Sequence, residues 1–253
     1  MAFILKKSLG QHFLHDKDIA RRIVEQALKM KPSRLLEIGP GGGALTEHIL
    51  QHYAGEYKAV ELDKEKVDFL VKRFPGIEEK LSWQDFLKAG LPWNEPFAVI
   101  GNFPYNISTE IIFKLLDWRM HIIEVTGMFQ KEVAQRLAAQ PGNKTYGITS
   151  VIFQAFFDIE YLFDVSPKAF TPPPKVVSGV LRMVPSANVP EMRSEALFRK
   201  LVKASFGQRR KQLRNTLKPY FSKEQLEDPF FTKRPEELPV AEFARLTFET
   251  ATE

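Results

Sequence analysis

The sequence predicts an α/β fold, an open parallel sheet with helices, followed by a small C-terminal all-helical domain. Three observations lead to this prediction. Apolar runs of strand length alternate with amphipathic helical patterns, a glycine-rich turn directly follows the first clear strand, and only helical patterns remain after residues 185–190, which look like a linker. With 253 residues, 44% of them hydrophobic, the chain can bury a sizeable core.

The composition narrows the class of protein. The formal net charge is +5, which mildly favours a polyanionic partner. There is no cysteine, which excludes disulfides, zinc–thiolate sites and a cysteine nucleophile. No apolar run approaches the length of a membrane span, and residues 1–7 are followed by polar residues rather than by the apolar core of a signal peptide. We therefore expect a cytoplasmic enzyme or nucleic-acid binder.

The N-terminal segment, residues 6–14, is basic and interrupted by a glycine, and it precedes a predicted helix at 17–30. It contains three apolar residues, Leu9, Phe13 and Leu14, that could dock on the body of the protein. This favours an ordered lid, and a frayed terminus is the alternative.

A glycine-rich turn joins the predicted strand at 34–38 to a helix at 45–52. Glycines let the backbone approach a ligand closely, and a helix N-terminus favours polar or anionic atoms. Gly39, Gly41 and Ala44 also satisfy the dinucleotide pattern G-x-G-x-x-A. The residues therefore predict a nucleotide-type site, and an NAD or NADP enzyme is not excluded by this pattern.

Two acidic residues stand at the ends of the next predicted strands. Glu61 lies near the end of the strand at 57–62, where a carboxylate can accept hydrogen bonds from ribose hydroxyls. Asp85 ends the strand at 81–84, where a carboxylate could meet an adenine amino group. Asp63 is predicted to cap the following helix. Together with the glycine turn, Glu61 and Asp85 favour an adenosine ligand.

The stretch after the apolar run at 97–100 has the most distinctive chemistry. Gly101 is predicted to end this buried strand, and Asn102, Pro104 and Tyr105 follow. The amide offers a donor and an acceptor, the proline a carbonyl, and the tyrosine a flat face. These groups suit the exocyclic amine of a nucleobase.

An ordinary strand-to-helix turn is the alternative for this stretch. In that case Ser108 would simply cap the helix predicted at 108–118. The turn would explain Gly101 and Pro104 but not the amide and the ring beside them, so we favour a functional site. The remaining elements are predicted as helices at 64–74, 131–139 and 146–157 and strands at 122–129, 159–163 and 176–184.

A proline-rich connection, residues 166–175, joins the last two predicted strands and contains Phe170. Phe170 could be buried as a plug, or it could clamp a base from the side opposite Tyr105. The residues alone leave both interpretations open.

The C-terminal part concentrates positive charge on two predicted helices, at 195–206 and 208–217. No acidic residue occurs between the first and last of eight basic ones, so we predict a phosphate-binding face. The eight are Arg199, Lys200, Lys203, Arg209, Arg210, Lys211, Arg214 and Lys218. His48 and His52 have metal-compatible spacing, but no third ligand is evident, so no metal site is predicted.

With these residues considered, the chain closely resembles the ribosomal RNA adenine N6-dimethyltransferases of the KsgA type. Few other families carry all of its motifs in this order. The motifs are SLGQHFL, LLEIGPGGGALT, AVELD, QDFL, GNFPYNIST, QKEVAQRL, AFTPPPKV and FGQRRKQLRNTLK.

The resemblance implies a class I (Rossmann-like) methyltransferase domain at residues 1–186 and a helical basic RNA-binding domain at 187–253. It also implies that the cofactor is S-adenosylmethionine, with Glu61 at the ribose and Asp85 at the adenine. The implied cofactor residues are His12, Leu14, Gly39, Glu61, Asp85 and Asn102. Many relatives have Asn in place of His12, which leaves the cofactor contact at this position open. Many also have Leu in place of Phe103, and this difference keeps an apolar spacer.

The implied reaction adds two methyl groups to each of two adjacent adenosines near the 3′ end of small-subunit ribosomal RNA. Asn102 and the Pro104 carbonyl would bind the amine, and Tyr105 and Phe170 would stack on the base. The partner would be the assembling small subunit, with a monomeric enzyme and no membrane. Alternatives are methylation of large-subunit RNA, as in the Erm resistance proteins, methylation of DNA adenine, and a non-catalytic assembly or transcription factor.

Overall fold

A computed structural model describes residues 12–250 as two compact units. The first consists of the described residues through Ala134 together with Ile159–Pro185, and the second of Gln135–Asp158 together with the described residues from Ser186 onward. Residues 135–158 thus group with the C-terminal part, and the domain boundary at 186 stays a prediction.

The chain alternates strands and helices through most of its length. The strands are β1 (Phe13–Leu14), β2 (Arg34–Ile38), β3 (Glu56–Glu61), β4 (Leu81–Trp83), β5 (Phe97–Asn102), β6 (Ile122–Gln130), β7 (Phe157–Val165), β8 (Phe170–Thr171) and β9 (Ser178–Pro185). The α-helices are α1 (Lys17–Ala27), α2 (Ala44–His52), α3 (Lys64–Arg73), α4 (Ser108–Asp117), α5 (Lys131–Leu137), α6 (Ile148–Gln154), α7 (Glu195–Gly207), α8 (Leu213–Thr216), α9 (Lys223–Leu226) and α10 (Val240–Glu249).

Seven strands form one sheet in the order β4-β3-β2-β5-β6-β9-β7. The pairs β2/β3, β3/β4, β2/β5 and β5/β6 are parallel, and β9 is antiparallel to β6. The chain reverses its direction of winding between β2 and β5, and ligands of open parallel sheets collect at such a switch point. The predicted α/β fold is confirmed, and the predicted site lies at this position.

The residues of β5 show why the strand lies at the centre of the sheet. Its first five residues, Phe97 to Gly101, are buried, as expected for a parallel strand that is covered on both faces. The strand continues through Asn102, so the prediction that Gly101 ends it was wrong by one residue. Asn102 pairs with Met128 of β6, and this pairing holds its backbone in the sheet.

The helix after β5 differs from the prediction at its first turn. Ile107, not Ser108, occupies the N-cap position, and the Ser108 hydroxyl donates instead to the Tyr105 carbonyl at 3.4 Å.

The predicted helix cap at Asp63, which precedes α3, is confirmed, because its carboxylate accepts from the Glu65 amide at 3.2 Å.

The second unit is built mainly from short helices around aromatic side chains. The Tyr146 ring lies 6.2 Å from Phe206, which lies 5.9 Å from Phe243. The predicted helix at 208–217 was wrong, because only Leu213–Thr216 is helical. Residues 208–212 carry no apolar side chain that could bury a helical stripe, so they form a turn instead.

Candidate active site

One cavity at the carboxyl ends of the parallel strands brings the predicted site residues together. It is lined by the last residues of β2, β3 and β5, by residues that follow these strands and β4, and by the segment before α1. Eight predicted residues are among those that line it: His12, Leu14, Gly39, Glu61, Asp85, Asn102, Pro104 and Tyr105. Their separation along the chain shows that the fold, rather than local sequence, creates this site.

The glycine turn after β2 forms one wall of the cavity. Gly41 and Gly43 have φ angles of +57° and +80°, which side-chain-bearing residues rarely adopt. A Cβ at Gly43 would also lie 2.6 Å from the Phe74 ring, so this position requires glycine for two reasons. Gly43 is the N-cap residue of α2 and has no side chain with which to cap the helix.

Glu61 is almost fully buried and is held by two backbone amides. Its Oε2 accepts from the Gly41 amide at 3.0 Å and its Oε1 from the Asp63 amide at 2.9 Å. A carboxylate oxygen can accept a second hydrogen bond, so both remain able to bind hydroxyls in the cavity. The Gly41 contact also ties the end of β3 to the glycine turn.

Asp85 plays a local structural part as well as lining the cavity. Its Oδ1 accepts from the Leu87 amide at 2.9 Å, which caps a short 3₁₀ turn, and its Oδ2 lies 3.9 Å from the Lys88 ammonium. Since one oxygen is used for the cap, the other is available to an amino group in the cavity.

Glu37 lines the same cavity, although the sequence did not single it out as a functional residue. It is buried, and its Oε2 accepts from the hydroxyls of Thr46 at 2.8 Å and Tyr57 at 2.5 Å. Burial raises the pKa of Glu37 to about 7. The sequence feature that could have indicated a role for Glu37 is its position as a carboxylate within the otherwise apolar second half of β2.

The Asn102 side chain stands at the cavity edge and has a preferred orientation. Its Nδ2 donates over a long distance, 3.5 Å, to the His12 carbonyl. With the nitrogen on that side, Oδ1 is the atom left to accept from a ligand. The next residue, Phe103, is buried against Phe129, with ring centroids 5.1 Å apart, and anchors the stretch beneath the cavity.

Pro104 and Tyr105 complete this wall. The Pro104 carbonyl accepts from the Ile107 amide at 3.2 Å and keeps a second lone pair for a ligand. The Tyr105 hydroxyl lies 2.5 Å from the Ser178 Oγ, and its ring centroid is 5.7 Å from that of His12. Burial raises the pKa of Tyr105, so the phenol stays neutral at physiological pH.

The segment before α1 lies against the proline-rich connection. β1 pairs with β8, and the His12 Nδ1 lies 2.9 Å from the Pro172 carbonyl oxygen. This pairing places both His12 and Leu14 beside the cavity. Leu9, the first of the three apolar residues of the predicted lid, lies outside the described residues.

Phe170 belongs to β8 and is 2% exposed within the hydrophobic core of the first unit. It pairs with Leu14 across the short two-stranded sheet, and it is not among the residues that line the cavity. Its burial agrees with the plug interpretation, and its stacking on a base stays a prediction.

The basic residues of the second unit divide by environment. Arg199 is half-buried and pairs with Glu195 at 2.5 Å, and the half-buried Arg209 donates to the Asn143 carbonyl at 3.3 Å. The others are exposed: Lys200, Lys203, Arg210, Lys211, Arg214 and Lys218. These six side chains are the part of the predicted phosphate-binding face that is most accessible to a ligand.

Within residues 12–250, no three acidic or histidine side chains come close enough to hold a metal ion. His48 and His52 stack with ring centroids 6.4 Å apart. A search of the same residues finds no helix with the length and apolar character needed to cross a membrane.

Comparison with known proteins relates nearly the whole chain to RNA-modifying enzymes. A family model described as ribosomal RNA adenine dimethylase matches residues 2–249. The ribosomal RNA small subunit methyltransferase A of Cytophaga hutchinsonii is 52% identical over 246 residues, which cover 96% of this chain and 95% of that protein. The protein of the same name from Parabacteroides distasonis is 51% identical over 247 residues, 96% of this chain and 92% of that protein.

Solved structures support the fold. A dimethyladenosine transferase from Plasmodium falciparum superposes with a TM-score of 0.76 at 24% identity, covering 93% of this chain and 96% of that one. The 23S rRNA methyltransferase ErmE superposes with a TM-score of 0.69 at 24% identity, covering 92% and 99%. At this identity the superpositions show the fold alone. The family model and the sequence relatives go further, because they span nearly the whole chain: it belongs to the ribosomal RNA adenine dimethylase family.

Proposed function

We propose that this methyltransferase uses S-adenosylmethionine to dimethylate the N6 atoms of two adjacent adenosines near the 3′ end of small-subunit ribosomal RNA. The observation that carries the proposal is the shared cavity. It places the carboxylates of Glu61 and Asp85 together with the amide of Asn102 and the ring of Tyr105. The names of the sequence relatives support the choice of RNA.

The residues on one side of the cavity fit an adenosine-containing cofactor. Glu61 presents two carboxylate oxygens for the ribose hydroxyls, and Asp85 presents one for the adenine amino group. Gly39, with a φ of +67°, keeps the wall free of a side chain, and His12 and Leu14 close the site from the N-terminal segment. When bound there, S-adenosylmethionine supplies an already activated methyl group.

Asn102 and Pro104 act on the target amine. The adenine N6 is a poor nucleophile because its lone pair is delocalised into the ring. Hydrogen bonds from N6 to the Asn102 Oδ1 and to the Pro104 carbonyl favour a pyramidal nitrogen, which restores the lone pair for attack. No strong base is needed, because the proton is acidic once the fourth bond to nitrogen forms. Alignment and exclusion of water are therefore the main tasks of the site.

Aromatic side chains hold the base that has left the RNA stack. Tyr105 offers its ring at the cavity edge, while Phe170 must move out of the core to reach the opposite face of the base. Stacking of this kind is independent of sequence, so selection of the adenosine comes from docking of the RNA elsewhere on the protein.

Docking is assigned to the helical basic domain, residues 187–253. Its exposed cations bind phosphates without reading sequence and so set which adenosine reaches the cavity. The assigned residues are Arg199, Lys200, Lys203, Arg209, Arg210, Lys211 and Arg214. The substrate is the assembling small subunit, on which the enzyme acts in the cytoplasm as a monomer.

The test uses Asn102→Ala with methyl-labelled S-adenosylmethionine. Wild-type protein is expected to label small-subunit particles and to leave large-subunit RNA and duplex DNA unlabelled. The variant should lose labelling and still bind the particles. Labelling of large-subunit RNA or DNA instead would refute the substrate, and loss of particle binding with labelling would refute the role of Asn102.

A further inference from the structure

Tyr105 serves best as a stacking surface when the position of its ring is fixed before the base arrives. A tyrosine side chain rotates about two bonds, and a ring at a cavity edge gains little restraint from packing on its open face. Its hydroxyl lies 2.5 Å from the Ser178 Oγ. This contact fixes the far end of the ring and hence the direction in which the ring projects from the backbone. A phenol O–H lies in the plane of its ring, so the same contact also favours one tilt of the ring.

Ser178 is well placed to act as such an anchor. It is 0% exposed and begins β9, where it pairs with Gln130 at the end of β6. On the same strand β6, Met128 pairs with both Asn102 and Val180. Two strand ladders therefore fix Ser178 relative to the backbone of Asn102. The Ser178 hydroxyl, which contacts the Tyr105 ring, and the Asn102 side chain, which is proposed to bind the target amine, are therefore held by the same three paired strands.

The backbone beside Ser178 leaves little room for adjustment. A Cβ at the neighbouring Gly179 would lie 2.5 Å from the Tyr161 hydroxyl and 2.9 Å from the Ala134 Cβ. This part of the β9 backbone is therefore packed closely on its neighbours, which restrains the position from which the Ser178 hydroxyl reaches the ring. Deletion of the hydroxyl would free the ring without changing the atoms that touch the base.

We propose that Ser178 is a positioning residue for methyl transfer, which holds the Tyr105 ring in the position needed to stack on the target adenine. The inference rests on the proposed function, because it gives Tyr105 the role of the stacking surface. Ser178 does not touch the substrate. Ser178 therefore affects the rate of methyl transfer, for which the base and the methyl donor must be aligned, more than the affinity for the RNA or for the cofactor.

The experiment is a double-mutant cycle of Ser178→Ala and Tyr105→Phe, assayed by single-turnover methylation of small-subunit particles. Phenylalanine keeps the flat face and removes only the hydroxyl. Each single variant is expected to lose about tenfold in rate, which corresponds to about 1.4 kcal/mol, with affinity for the particles within about twofold of wild type. The double variant should be no slower than either single variant, since all three lack the same hydrogen bond.

A matched control separates positioning from stability. Ser205 is also 0% exposed, and its hydroxyl donates to the Leu201 carbonyl at 2.8 Å in α7. Ser205→Ala should lower thermal stability without changing the single-turnover rate. If Ser178→Ala does not fold, the Tyr105→Phe rate alone decides, because an unchanged rate would mean that the hydrogen bond has no role.

Each remaining outcome counts against the inference in a distinct way. Wild-type rates in Ser178→Ala, or losses that multiply in the double variant, would overturn the role of Ser178 and leave the proposed function in place. Absence of labelling of small-subunit particles by the wild-type protein would overturn both. A loss confined to particle affinity would show that Ser178 supports binding rather than alignment.

Discussion

Replacement of Gly127 by alanine is the perturbation that most directly tests how the core supports residues 102–105, to which we assign binding of the target base. Gly127 lies in β6 beneath the ring of Phe103, the residue between Asn102 and Pro104. A Cβ there would be 2.4 Å from the Phe103 Cε2 and 2.9 Å from the Phe129 Cε2. Ordinary contact begins near 3.4 Å, so the Phe103 ring must move by about 1 Å.

The loss of folding stability can be estimated from this displacement. Overpacking of a buried site costs about 1–3 kcal/mol, and we expect the upper half of that range because two buried rings oppose the new methyl group. Displacement of Phe103 also moves its neighbours, and a misplacement of about 1 Å can cost roughly 100-fold in rate. Gly127→Ala should therefore lower both the free energy of unfolding and the methylation rate.

Urea unfolding and single-turnover methylation measure the two effects. Gly90→Ala is the control, because a Cβ there meets no atom of residues 12–250 within 4 Å. The compensating variant Phe103→Leu shortens the side chain above Gly127, so the double variant should regain part of the stability lost by Gly127→Ala. Stability of Gly127→Ala equal to that of Gly90→Ala, or strict additivity in the double variant, would refute the reasoning.

Three further predictions concern charge. Burial raises the pKa of Glu37 from 4.5 to about 7, so the wild-type fold loses stability as pH rises through this interval, by at most about 3 kcal/mol. Glu37→Gln cannot ionise, and its stability relative to wild type should rise between pH 5 and pH 8 in urea unfolding of the ligand-free protein; a constant difference would contradict the raised pKa. Glu61→Gln should weaken S-adenosylhomocysteine binding about 10- to 100-fold by calorimetry, because an amide nitrogen must then face the backbone N–H of Gly41 or Asp63; unchanged affinity would remove Glu61 from the cofactor site. Neutralising three exposed cations of the second unit should reduce the slope of log affinity for RNA against log salt by roughly 2, and an unchanged slope would place the RNA elsewhere. The three are Arg210, Lys211 and Arg214.

The sequence predicted those parts of the site that follow from local pattern. The ends of apolar strands marked Glu61, Asp85 and Asn102, and parallel pairing then brings such ends to one edge of the sheet. The glycine turn could also be predicted from the sequence, because several glycines directly follow a strand. The structure gives the reason for the glycine at position 43, which has a positive φ and lies against the Phe74 ring.

Contacts between distant segments were not predictable in the same way. The hydrogen bond between Tyr105 and Ser178 joins residues 73 positions apart in the chain, and no local sequence pattern around either residue predicts it. The burial of Phe170 depends on the pairing of β8 with β1, which local periodicity does not determine. The helix expected at 208–217 was wrong because basic residues with good helix propensity had no apolar stripe among residues 208–212 to bury.

The most direct test of the central claim is a structure of the protein bound to S-adenosylhomocysteine and to a small-subunit RNA fragment that contains the target adenosines. We predict that the flipped adenine lies on the Tyr105 ring with its N6 within about 3.2 Å of both the Asn102 Oδ1 and the Pro104 carbonyl oxygen. An adenine bound with its N6 away from Asn102, or a cofactor outside the cavity lined by Glu61 and Asp85, would contradict the proposed mechanism.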